Sequence, residues 1–175
     1  MPCSLTRADR TLLTKLRHIR SSTHAKIRAA VPTQADNSGP ALAKSTLSPL
    51  NSTGKHMQIK TVTLIANACD DEYDNMALLC CHGEGGDLFS LTRFPDENEV
   101  EITVGDDTSH DVSNLKVTFG AQRLLVEIAP ADARQLKGHE QFEIIHGTDA
   151  DELAEVHRTL HIIMTNVGEY VSEVD

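Results

Sequence analysis

The chain is 175 residues long, 39% hydrophobic and 24% charged, which suits one globular domain with its own core and a further segment beside it. Aromatics make up only 3%, with no Trp, which excludes a stacking platform for bases. No apolar run approaches the ~20 residues of a membrane span. The net charge of −10 is unevenly held: residues 1–56 carry nine Lys/Arg against Asp9 and Asp36, leaving a balance of −17 on the remainder. Such an acidic domain repels nucleic acid and favours basic partners through its summed field.

Residues 1–56 form a basic, Ser/Pro-rich extension. Leu12, Leu16 and Ile19 mark one face of a short helix ringed by Arg10, Lys15, Arg17 and Arg20. Beyond Ser21 the prolines Pro32, Pro40 and Pro49 break any regular element. A segment so poor in apolar residues cannot offset the entropy of ordering itself, so disorder is expected. Three readings compete: an intracellular targeting presequence, a basic arm for an anionic surface, and an extension ahead of a native start at Met57. The last is preferred, because the ordered pattern begins abruptly at Met57.

From there the chain reads as one α+β domain over residues 57–175. Ile59 to Ala66 is rich in β-branched residues and predicts a strand. Asp70-Asp71-Glu72 is a polar turn, and Met76 to Cys81 a strongly apolar strand. His82-Gly83-Glu84-Gly85-Gly86-Asp87 is a hairpin loop, not a phosphate cradle: a strand follows it, and its acids repel anions. Leu88 to Arg93 is that strand, Pro95 to Asn98 a turn, and Val100, Ile102 and Val104 the core side of another strand. Gly105 to Asp111 reads as a polar loop.

Leu115, Val117 and Phe119 alternate with polar neighbours, Gly120 supplies freedom at positive φ for a turn, and Leu124, Val126 and Ile128 return. Pro130 opens a short helix over Ala131 to Leu136, ended by Gly138. Phe142 to Ile145 is the last expected strand. Thr148 or Asp149 caps a final helix, with Asp149 and Glu152 as a loose capping box. Its stripe of Leu153, Val156, Leu160, Ile163, Met164 and Val167 must lie on the sheet. The expected architecture is a mostly antiparallel sheet of six or seven strands, with the short helix and the C-terminal helix packed on one face.

Chemistry is thinly supported. Cys3, Cys69, Cys80 and Cys81 include no C-x-x-C spacing, and adjacent cysteines on a strand point apart, so small buried side chains are expected. Asp106, Asp107 and Asp111 lack the order and distal Glu of a Ca²⁺ loop. His157 and His161 stand at i and i+4, but Arg158 occupies the place of the zincin glutamate. Ser90 and Ser113 lack a nucleophile signature, and Cys81 with His82 are neighbours on a strand. No catalytic residue, metal site or cofactor is therefore assigned. What stands out is an acid-rich edge of Asp96, Glu97, Glu99, Glu101, Asp106, Asp107 and Asp111, read as a partner-binding surface.

Residues from about 57 to 164 resemble the immunity protein 10 family of bacterial polymorphic toxin systems. The matching features are the aromatic strand Phe89-Ser90-Leu91-Thr92-Arg93 and the acidic turn Pro95-Asp96-Glu97-Asn98-Glu99-Val100. They continue with the hairpin of Leu115–Phe119 and Leu124–Ile128, then Ala133, Leu136, Phe142-Glu143-Ile144, Leu153 and Leu160. Glu99 stands where the family tends to have aspartate, and Asp111-Val112-Ser113 replaces a tyrosine–glycine–glycine approach to the hairpin. The resemblance implies a cytoplasmic, non-enzymatic protein that binds and occludes a cognate toxin domain. The negative charge suits a basic toxin such as a nuclease; neither nucleic acid nor membrane is expected as a partner. Two further readings are a small metal- or ligand-binding domain or hydrolase built on His157 and His161, and a subunit of an assembly.

Overall fold

The computed structural model describes residues 54–174; the expected helix around Leu12, Leu16 and Ile19 lies outside the described residues. The class is the expected one, α+β with mostly antiparallel strands. Among the described residues the strands number ten, however, and two sheets share them.

The first sheet has the order β1-β9-β8-β7-β10, formed by β1 (Lys55–Thr61), β9 (His139–His146), β8 (Arg123–Ile128), β7 (Leu115–Phe119) and β10 (Glu169–Ser172). The edge pairs β1–β9 and β10–β7 are parallel, the inner ones antiparallel. The second sheet is an antiparallel meander of β2 (Ile65–Asp70), β3 (Met76–His82), β4 (Leu88–Arg93), β5 (Val100–Val104) and β6 (Thr108–Val112). The helices among the described residues are α1 (Pro130–Ala133) and α2 (Ala150–Met164), with a 3-10 turn at Asp71–Tyr73.

Period-2 alternation places the core. Ile59, Val117, Phe119, Leu124, Val126, Phe142 and Ile144 of the first sheet share one cluster with Ala77, Leu79, Cys81, Phe89, Leu91 and Ile102 of the second. Phe89 meets Phe142 across it, ring centroids 5.3 Å apart. Each such buried large side chain stabilises the fold by about 1.5–3 kcal/mol. In β3 and β4 the opposite row, Leu78, Cys80, Ser90 and Thr92, is buried too, which is why Met76 to Cys81 is apolar without a break. The outer row of the first sheet is polar and paired: Arg123 Nε lies 2.8 Å from Glu143 Oε1, and Lys116 Nζ 3.2 Å from Glu169 Oε1.

Helix α2 packs against β2 and β3 of one sheet and β10 of the other, so it bridges both instead of covering a single face. Its buried stripe is Val156, Leu160, Ile163 and Met164, continued by Val167 beyond the helix. Gly168 follows at φ +65°, its Cα so close to Leu115 that an added Cβ would sit 1.8 Å from that carbonyl oxygen. Only glycine fits there.

Several local expectations are corrected. Ile59 to Ala66 is not one strand: the chain turns at residues 62–64 and crosses from one sheet to the other. Gly105 to Asp111 is a loop only as far as Asp107, then edge strand β6, whose Val112 pairs with Val100. The short helix stops at Ala133, and β10 was not expected at all. Asp149 occupies the N-cap of α2, but the capping box is not made. Thr148 Oγ1 instead accepts from Leu64 N–H at 2.9 Å, and Glu152 from Thr63 Oγ1 at 3.1 Å. The β7–β8 turn closes through Gly120 N–H to Arg123 O at 2.8 Å, without a positive φ at Gly120.

Candidate acidic interface

The seven acids singled out in the sequence fall into two groups. Strand β5 is five residues long, roughly 14 Å from end to end. Glu99 precedes it and Asp106 and Asp107 follow it, so the two groups stand at opposite ends of the β5–β6 hairpin. Antiparallel pairing carries Asp111 back beside the first group, opposite Glu101 in register. Glu97, Glu99 and Asp111, with Asn98 and Ser113, line one open hollow of about 380 Å³. Asp96 is exposed in the turn that leads to it, and Glu101 is half-buried on the adjoining strand.

The far group is partly neutralised. Lys137 Nζ lies 3.2 Å from Asp107 Oδ1, and Thr108 Oγ1 donates to the same oxygen at 3.1 Å. The Lys137 hydrogen bond, then that of Thr108, holds the Asp107 carboxyl below its ordinary value. Around the hollow, by contrast, no ion pair among the described residues reaches Asp96, Glu99 or Asp111. The structure thus brings together Glu97, Glu99 and Asp111, keeps Asp96 and Glu101 adjacent, and sends Asp106 and Asp107 elsewhere.

One residue without a role in the sequence reading holds the hollow's frame. Arg93 ends β4 with only 9% of its surface exposed. Its Nε donates to Glu97 O at 3.0 Å, fixing the Phe94–Glu97 turn. Its Nη1 donates to Ile162 O at 3.2 Å, to Ile163 O at 2.9 Å and to Thr165 O, the carbonyls that end α2. Carbonyls at a helix end lack the regular i+4 amide partner, Ile162 O receiving only the cap N–H of Thr165 at 3.3 Å, and a cation suits the negative end of the dipole. Arg93 thereby caps α2 from another element and ties it to the acidic turn. The available signal was a lone arginine closing an otherwise apolar and hydroxylic strand, where burial demands several acceptors.

Beside this frame lies a second, mostly apolar groove of about 220 Å³, lined by Asn75, Ala77, Arg93, Phe94, Pro95, Ile162 and Thr165. Ile162 is 41% exposed there; with Val62 it forms the pair of exposed large hydrophobics among the described residues.

The remaining chemical candidates are dispersed. Nδ1 of His157 lies 2.9 Å from the Tyr170 hydroxyl, while His161 is exposed one turn on. Among the described residues no group of three or more His, Cys, Asp or Glu stands together in a way that would hold a metal. Cys81 is buried, which pushes its thiol up to about 12 and away from nucleophilic use. Cys80 points to the opposite face beside Ser90, itself fully buried. His139 and His146 are buried along β9, and desolvation depresses both. Among the described residues no helix is long and apolar enough to cross a membrane. No protein-family model, curated protein or solved structure matches the chain.

Proposed function

We propose that this protein is a cytoplasmic, non-enzymatic immunity protein that binds a cognate basic toxin domain and blocks it by occlusion. The observation that carries this reading is the clustering of Glu97, Glu99 and Asp111 about one hollow in a domain with a balance of −17. A negative rim of this kind steers a basic protein into contact and speeds association well above the rate of a neutral pair. The buried Arg93 supports the same reading, because it holds the acidic turn rigid and so spares the cost of ordering it on binding. The resemblance of residues 57–164 to the immunity family names the class of partner.

The test is co-expression of the full chain with the toxin-domain gene encoded beside it. Protection of growth, with a purified complex whose association rate falls steeply with added salt, is the expected result. A toxin left fully active by an excess of folded protein would reject the reading.

A further inference from the structure

We infer that the joint where the chain passes from the first sheet to the second is an acid-sensitive latch, held shut by the uncharged ring of His146. Mild acid loosens the joint while the interiors of both sheets stay packed.

The joint is lightly fastened. The chain leaves β1 at Thr61 and enters β2 at Ile65, and Val62 between them is 75% exposed. Gly147 N–H donates to Val62 O at 3.0 Å, and Leu64 N–H to Thr148 Oγ1 at 2.9 Å. Thr63 Oγ1 adds an exposed bond to Glu152 at 3.1 Å, so the crossover is tied to the start of α2. His146 closes β9 immediately before these partners. It pairs with Thr61 in register, and its own N–H donates to Gln122 O at 3.0 Å. One histidine thus sits where β1, β9 and the β7–β8 turn all end.

The ring is seated for its neutral form. His146 is only 3% exposed, stacks on Phe119 with centroids 5.9 Å apart, and makes no well-formed hydrogen bond from either nitrogen. A proton placed there needs water or an anion to solvate it. The charged groups on the surrounding elements are Lys60, Glu84, Arg123, Asp149, Glu152 and Glu173. Glu84 N–H donates to Lys60 O, and Glu173 N–H to Phe119 O, so both acids lie on segments bonded to this region. None of the six forms an ion pair with the ring. Desolvation holds the ring below its ordinary value of 6.5, opposed by the Gly120 backbone alone. The exposed crossover is bonded to the residue after His146, so lifting it is the least costly way to bring water to the ring. Below 6.5 the open joint gains a proton that the closed one refuses. Its opening constant therefore rises by up to about tenfold per pH unit, until the closed ring also protonates.

The test is amide hydrogen exchange, followed by NMR on isotope-labelled full chain from about pH 7.5 to about pH 5, each rate divided by the chemical rate at that pH. Gly147 and Leu64 are expected to exchange at least about a hundredfold ahead of Leu79 and Leu91 in the second sheet. Their opening constant should climb by up to about tenfold per unit below neutrality. His146→Leu should abolish the climb, and His139→Leu, at the other end of β9, should leave it intact. Ring signals of His146 in the unaltered chain give a reading that needs no variant: they should keep their neutral positions as pH falls through 6.5. One opening constant shared by the joint and the second sheet overturns the proposal, because acid then acts only on global unfolding. So does a joint indifferent to pH, a climb that survives in His146→Leu, or a ring that titrates at 6.5 with protection unchanged.

Discussion

Replacing Arg93 by alanine removes the charged donor that four carbonyls share, those of Glu97, Ile162, Ile163 and Thr165. Hydrogen bonds to a charged group contribute roughly 1.5–3 kcal/mol each when buried, but the freed carbonyls at the helix end regain some water, and Thr165 N–H already bonds Ile162 O at 3.3 Å. A net loss of about 3–4 kcal/mol follows, a large part of the 5–15 kcal/mol that typically holds a domain. With a urea slope of about 2 kcal/mol per molar, the midpoint should fall by about 1.5–2 M. Far-UV circular dichroism is the suitable signal, since the chain has no Trp. Arg93→Lys should fall between, keeping the charge but losing the planar fork that reaches both elements. Lys116→Ala is the control: its ion pair with Glu169 is exposed on both sides and should cost under about 0.5 kcal/mol. If Arg93→Ala moves the midpoint no further than Lys116→Ala does, the guanidinium is not the fastening described above.

Other expectations are narrower. Gly168→Ala places a Cβ against the Leu115 carbonyl at a φ of +65° and should lower stability by at least about 3 kcal/mol, a fall in Tm of roughly 10 °C; an unchanged Tm would mean that β10 is seated differently. His146 stacks on Phe119 and makes no well-formed hydrogen bond from either ring nitrogen; burial depresses it, opposed by the Gly120 carbonyl. The folded ring stays neutral while the unfolded one protonates near 6.5, so its stability term is complete above that pH and lost as acid approaches the folded value. His146→Leu should flatten urea midpoints between neutral and mildly acidic pH, and an equally steep acid limb would clear His146 of the effect. Glu97→Lys with Glu99→Lys and Asp111→Lys should slow association with the toxin at least about tenfold at low salt, leaving dissociation nearly unchanged; a drop confined to dissociation would contradict steering. Metal analysis of purified protein should find no zinc dependent on His157 and His161, and stoichiometric zinc lost in His157→Ala with His161→Ala would establish the metal-dependent alternative.

The strands with clean alternation, Leu115–Phe119 and Leu124–Ile128 above all, were legible in the sequence because each repeats a single inside–outside period. So was α2, whose stripe has to meet something apolar. The division into two sheets was not legible. Thr61, Val62 and Thr63 keep β-branched character through the corner where the chain changes sheets, and no Gly or Pro marks the break. Strand β6 hides behind the polar side chains that an edge tolerates, and β10 behind its four residues. Thr148 looked like a cap because its alternative partner, Leu64 N–H, is 84 residues away. The acids were legible as a surface but not as a site: sequence proximity grouped all seven, whereas pairing returns Asp111 to Glu101 and leaves Asp107 with Lys137.

Two polar surfaces of the same fold obey different rules, and the contrast bears on function. On the outer row of the first sheet, opposite charges meet, Arg123 with Glu143 and Lys116 with Glu169, and the neutral amide of Gln58 donates from Nε2 to Glu143 Oε2 at 2.7 Å. Gln58 and then Arg123 hold the Glu143 carboxyl below its ordinary value, as expected for a face arranged for stability. On β5 and β6, Glu101 is set directly opposite Asp111, with Glu97 and Glu99 alongside. Like charges facing across strands cost a few tenths of a kcal/mol or more. A sheet selected for stability alone would place a lysine at one of those positions, as its own first sheet does at Lys116. Concentrated negative charge is worth that cost where cations from outside the sheet meet it, and Arg93 fixes the turn that carries Glu97.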